Sequence, residues 1–203
     1  MFKLNSPPDS EITVNGREYV LDMAFDNVMD AKEALRRAEL VPLDRFDLFL
    51  TLMFGEDQAA TLALDPQEAV ELTKYILDSF IDIEAESTPE LYDLEGNPMP
   101  SPSNDDGENG AAFSLTYDAP YVYGAFWQAY GINLHDYFGK LHWHQFLALL
   151  KALPDDTALK QILSIRSTPL AGLKGEELEQ MRRLKNRYRL PDQDEIGEEE
   201  DDE

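Results

Sequence analysis

The 203-residue chain has no cysteine, which removes disulfides, thiolate zinc centres and iron–sulfur clusters from consideration. It also has no apolar run near the roughly twenty residues that cross a bilayer, and no basic-then-apolar opening with a cleavage site. The expectation is a soluble protein that stays in the cytoplasm where it is made. Positive charge is scarce too, with 17 Lys and Arg against 41 Asp and Glu, a formal net charge of −24. Such a surface repels phosphate backbones and anionic headgroups, so neither nucleic acid nor membrane is an expected partner. A basic protein partner, mimicry of DNA toward a protein that normally holds it, and plain solubility all remain compatible with that charge.

Catalytic signatures are missing as well. Neither of the glycine-rich phosphate loops GxxxxGK[ST] and GxGxxG occurs. Without cysteine a nucleophile would have to be Ser or Thr, and no serine sits in a G-x-S-x-G turn. Carboxylates are too numerous for a pair of them to mark acid–base chemistry. The chain therefore reads as a non-enzyme with no cofactor.

What is present is apolar material enough for a core, at 43% hydrophobic and 10% aromatic. EITVNGREYVLD predicts a hairpin about Asn15-Gly16. Residues 26–39, DNVMDAKEALRRAE, predict a helix capped by Asp26. Pro42 opens a second, with Phe46, Phe49, Leu50 and Met53 at helical spacing and Gly55 at its stop. In DPQE, Asp65 and Glu68 form a capping box for a third helix that carries Ala69, Leu72, Ile76 and Phe80 inward. Residues 84–112 are rich in Pro, Ser, Asn, Gly and acid without a period, and predict a disordered linker.

Helical spacing returns at YDAPYVYGAFWQAYG, where Asp118 is the expected cap, Tyr123, Phe126, Trp127 and Tyr130 one stripe, and Gly131 the end. After Pro154, Asp155 and Asp156 are expected to start a helix with Leu159, Ile162 and Leu163 inside and Arg166 at its end. A weaker helix over 175–189 and an acidic tail over 192–203 complete the chain. The fold class is mostly α: a helical bundle with a small N-terminal β-hairpin, a disordered acidic linker and a disordered acidic C-terminal tail. The divisions fall at 1–83, 84–112, 113–191 and 192–203.

Two features ask for a functional reading. GKLHWHQFLALLKALPDD, residues 139–156, holds two of the three histidines, His142 and His144. On a helix, at about 100° per residue, they project about 200° apart on the edges of a stripe made by Trp143, Phe146, Leu147 and Leu150. Histidines so placed do not share an ion, so they are read as lining the boundary between core and solvent. The second feature is EELEQMRRLKNRYRLP, which gathers Arg182, Arg183, Lys185, Arg187 and Arg189 in an otherwise acidic chain. Either these neutralise nearby acids or they bind a partner.

Taken together, YDAPYVYGAFWQAYGINLHD, the GKLHW block, the helix LKQILSIR and the basic close KNRYRL resemble a family encoded in tail-gene clusters of siphophages and prophages of Gram-positive bacteria, known by its gene-product number, fifteen. The resemblance covers 115–191 well and about 20–80 loosely. His144 departs from it, standing where a second aromatic is expected. The resemblance implies a gene just before the tape-measure gene, where tail assembly chaperones are encoded. It thereby implies a non-catalytic chaperone that binds the tape-measure protein and gathers tail-tube subunits in the host bacterial cytoplasm, absent from the mature virion. A structural tail or connector protein of the virion is the alternative, and an acidic DNA-mimic inhibitor a further one.

Overall fold

The computed structural model describes residues 5, 6, 8–82 and 113–191. The linker 84–112 and the tail 192–203, both expected to be disordered, lie outside the described residues. Among those described, eight α-helices and one two-stranded antiparallel hairpin carry the regular structure, so the chain is mostly α as its periodicity predicts. It forms two compact units, residues 1–89 with 135–151 and residues 90–134 with 152–203.

In the first unit, β1 (Glu11–Val14) and β2 (Arg17–Val20) pair antiparallel, Val14 opposite Arg17. Asn15 and Gly16 take φ of 51° and 76°, the left-handed pair that a two-residue turn of this twist demands. Ile12 and Tyr19 face each other across the strands and are both buried, as a period of two requires. Helix α1 (Phe25–Ala34) buries Phe25, Val28, Ala31 and Ala34, one stripe at three-residue spacing.

The start and end of α1 correct two expectations. Asp26 does not cap its own helix; its carboxylate accepts the backbone N–H of Gly139 at 3.0 Å. The helix stops at Ala34 rather than 39, and Val41, extended before Pro42, separates it from α2. The intervening carbonyls of Ala38 and Leu40 accept from the Arg45 guanidinium instead.

Helix α2 (Pro42–Phe54) buries Phe49, Leu50, Met53 and Phe54 and ends at Gly55. After the single turn α3 (Glu56–Ala59), α4 (Pro66–Ile76) begins with the expected box: Asp65 accepts from the N–H of Glu68, and the Glu68 carboxylate accepts from the N–H of Asp65. A π turn (Leu77–Ile81) follows. Its wider winding brings both Phe80 and Ile81 into the core.

The reading of 113–191 as one region does not anticipate where residues 135–151 go. They belong to the first unit, and α6 (Trp143–Lys151) supplies it with core. Phe146 stacks on Phe25 at 4.8 Å between centroids and on Trp143 at 5.7 Å. The backbone ties the join: Phe25 N–H donates to Leu141 at 2.9 Å and Trp143 N–H to Met23 at 2.7 Å. The contact has a physical cause, since it buries Trp143 and Phe146 of α6 against Phe25 of α1.

The second unit contains α5 (Ala119–Tyr130), α7 (Ala158–Ser167) and α8 (Gly175–Arg187). Gly131 closes α5 with φ 65°, the left-handed stop that glycine permits. Thr157, not Asp155 or Asp156, caps α7. Its hydroxyl accepts from the Lys160 N–H and donates to the Pro154 carbonyl, and the residue is fully buried.

Candidate functional site

His142 and His144 both lie in the first unit. Helix α6 starts at Trp143, so His142 sits at its cap position instead of on its face. The expected divergence of about 200° therefore does not arise, and the two rings lie 5.1 Å apart between centroids. His142 Nδ1 accepts the backbone N–H of His144 at 3.2 Å, and the His142 N–H donates to the Gln145 side chain at 3.3 Å. This is a capping box with imidazole in the place of a hydroxyl.

The hydrogen bonds dictate the tautomer. A backbone N–H only donates, so Nδ1 of His142 carries no proton and Nε2–H donates to Ser10 Oγ at 3.2 Å. Burial, and secondly the neighbouring His144, pull the His142 pKa down to about 4. The ring stays neutral, as its capping role needs.

His144 and Trp143 serve the other helix. A helix leaves its last carbonyls without intrahelical donors. At the end of the π turn, Trp143 Nε1 donates to Ile81 O at 3.0 Å and His144 Nε2 donates to Phe80 O at 2.8 Å. Lys32 joins them, bonding Asp82 at 2.8 Å and lying 6.0 Å above the Trp143 ring. His-Trp-His is thus a clasp between helix ends, its tryptophan buried and its two histidines half-buried at the boundary between core and solvent. Among the described residues no group of three or more His, Asp or Glu is placed to hold a metal ion.

The basic stretch lies on α8 and just past it. Arg182, Arg183, Arg187 and Arg189 are exposed, and Lys185 is half-buried. Lys185 is engaged inside the unit, donating to the Arg166 carbonyl at 2.8 Å. Arg183 reaches Glu179 one turn back at 3.6 Å, a fully hydrated pair of small worth. The side chains held outward are Arg182, Arg183 and Arg187.

Sequence reasoning missed the polar centre of this second unit. Asp118 caps nothing; it is fully buried and takes a two-pronged bond from Arg166, 2.7 Å from Nη1 and 2.8 Å from Nη2. It also accepts from the Ser114 N–H, while Arg166 Nε donates to Tyr188 O at 2.5 Å. No local signal separates such an Asp from a cap, or such an Arg from one placed to suit a helix dipole. The partners are 48 residues apart. The aromatic stripe of α5 also divides differently from expectation, with Phe126 buried and Trp127 56% exposed, because a helix face wide enough for all four rings exceeds what this small core covers.

A cleft lies in the first unit between the end of α1, the start of α2 and α4. It measures about 230 Å³ and is walled by Leu35, Pro42, Phe46, Val70 and Leu77. Arg45 and Lys74 are its charged members, and the buried Thr73 adjoins it. The Thr73 hydroxyl is buried and has no hydrogen-bond partner, an uncommon state that costs roughly 1–3 kcal/mol. Apolar walls with a few polar groups suit contact with an apolar side chain.

No curated protein and no solved structure matches the chain. The family described as bacteriophage Gp15 protein matches it over residues 8–190, taking in the described parts of both units. The chain belongs to the bacteriophage Gp15 protein family.

Proposed function

We propose that this phage protein is a non-catalytic tail assembly chaperone that binds the tape-measure protein, working in the host cytoplasm and leaving before the virion is complete. Family membership supports the coarser part of the reading, a phage structural or assembly protein. The finer part rests on one observation about the surface. Large apolar side chains stand in solvent on a chain of net charge −24, among them Val41 at 59%, Tyr75 at 53% and Phe138 in the first unit and Trp127 and Tyr117 in the second. A holdase needs both properties: apolar contacts for an aggregation-prone client, and like charge to keep the complexes apart. Many acids lie in the runs over 84–112 and 192–203 instead of along one helix face, which disfavours mimicry of a DNA backbone.

Co-expression with the tape-measure protein encoded downstream tests it. The expected result is a tape-measure protein that is soluble only with this chain present and is recovered in its pull-down. A client that stays insoluble and uncaptured would end the chaperone reading. Detection of the chain in purified particles would favour the structural tail or connector alternative.

A further inference from the structure

We infer that the cleft between α1, α2 and α4 is a docking groove for an amphipathic helix that carries acidic side chains beside its apolar seam. The inference deepens the proposed function: it takes from that reading the protein that supplies the helix, and from the first unit alone the chemistry of recognition.

Size comes first. About 230 Å³ lies below the roughly 300–1,000 Å³ of small-molecule sites. It matches one or two anchoring side chains of the kind a helix lays into a groove. The apolar surface continues past the walls, since Val70 is itself exposed, and so are Val41 and Leu43 on either side of Pro42. An anchor in the cleft therefore has further apolar surface beside it.

The choice of an acidic helix follows from charge. The walls carry two cations and no acid, in a chain with 41 acids and 17 bases. Arg45 directs its guanidinium to the carbonyls of Leu40 and Ala38, so no carboxylate matches its charge there. Lys74 has no ion pair among the described residues. The field of the whole molecule argues the other way: at net −24 a basic helix should be drawn in from a distance. Screening over about 8 Å at physiological salt leaves the decision to the wall charges.

The two expectations are opposite, which makes the test sharp. Two labelled synthetic helices are prepared with the same leucine seam at i, i+3, i+4 and i+7, one flanked by glutamate and the other by lysine. Binding to the full chain is measured by fluorescence anisotropy at near-physiological salt. The glutamate helix should bind about tenfold more tightly, the worth of one or two partly exposed ion pairs. Lys74→Glu, an exposed change, should remove the glutamate preference, and Val70→Glu should abolish binding of both while the circular dichroism melt stays in place. Equal or reversed affinities for the unaltered protein would overturn the inference. So would a dimer that Val70→Glu dissociates and that binds neither helix, since the groove would then belong to a second copy. Capture of the tape-measure protein that neither variant weakens overturns the groove and leaves the chaperone reading standing. A glutamate preference without any tape-measure capture does the reverse.

Discussion

In the first unit the fully enclosed large side chains are Phe49, Phe54, Phe146, Met53, Ile76, Ile81 and Val28, with one unpaired hydroxyl, Thr73, whereas in the second Phe126 and Leu159 share enclosure with a carboxylate, Asp118, and a hydroxyl, Thr157, both of them hydrogen-bonded. The first unit is held chiefly by aromatic and aliphatic packing, and among the described residues its fully enclosed side chains include no charged group. The second is organised about one ion, the Arg166 guanidinium, which links the start of α5 and the carbonyl after α8 to α7. Packing announces itself in sequence through periodicity. An ion pair across 48 residues does not, since any Asp at a helix start also reads as a cap. That is why β1, β2, α2 and α4 were legible to within a residue or two while the centre of the second unit was not.

The comparison can be broken most directly at Trp143. Trp143→Ala removes a buried aromatic from the first unit and strips the donor from the Ile81 carbonyl, so a loss of about 4–5 kcal/mol is expected in chemical denaturation. Trp143→Phe keeps the stacking on Phe146 and should cost about 1–2 kcal/mol, the share of the orphaned carbonyl. A loss below about 1 kcal/mol for the alanine variant would show that the first unit does not depend on its aromatic cover.

In the second unit Arg166→Ala leaves Asp118 buried without a counter-charge, at an expected cost of about 3–4 kcal/mol. The apolar double variant Asp118→Leu with Arg166→Met should recover most of it, because the expense lies in an unpaired ion and not in the lack of a pair. Should the double variant be as unstable as the single one, the pair is worth more than its desolvation and the contrast between the units deepens. The outcome can be read from the full chain by whether the melt of α5, α7 and α8 amides separates from the rest in hydrogen exchange.

A smaller effect belongs to the clasp. His142 stays neutral in the fold down to about pH 4, while in the unfolded chain it takes up a proton near the ordinary value of about 6.5. Between those values the unfolded state binds more protons, so stability rises with pH across the interval. The contribution is complete above about 6.5 and lost as pH falls through about 4. His142→Asn preserves an acceptor at the cap without titrating. The difference in stability between the two proteins should therefore move toward the asparagine variant as pH drops, whatever the carboxylates do in common. His142→Ala should cost about 1 kcal/mol at neutral pH. Sequence alone showed the spacing of His142 and His144 but not their work, because that depended on α6 beginning only after His142 and on a π turn whose carbonyls needed donors.

The smallest expected effect sits on Trp127, and it separates packing from recognition. At 56% exposed, with Gly124 one turn before it and Gly131 one turn after it leaving open space beside the helix, this ring contributes little to the second unit. Trp127→Ala should change stability by no more than about 0.5 kcal/mol. An exposed tryptophan with so little to do in the fold is the kind of side chain that anchors a protein contact. In the tape-measure pull-down the variant should then lose capture out of proportion to its stability, whereas Phe126→Leu, one residue earlier and fully enclosed, should lose stability first and capture only as the unit melts. The reverse order, stability falling with Trp127 and capture unmoved, would place the ring in the core and take the second unit out of client binding.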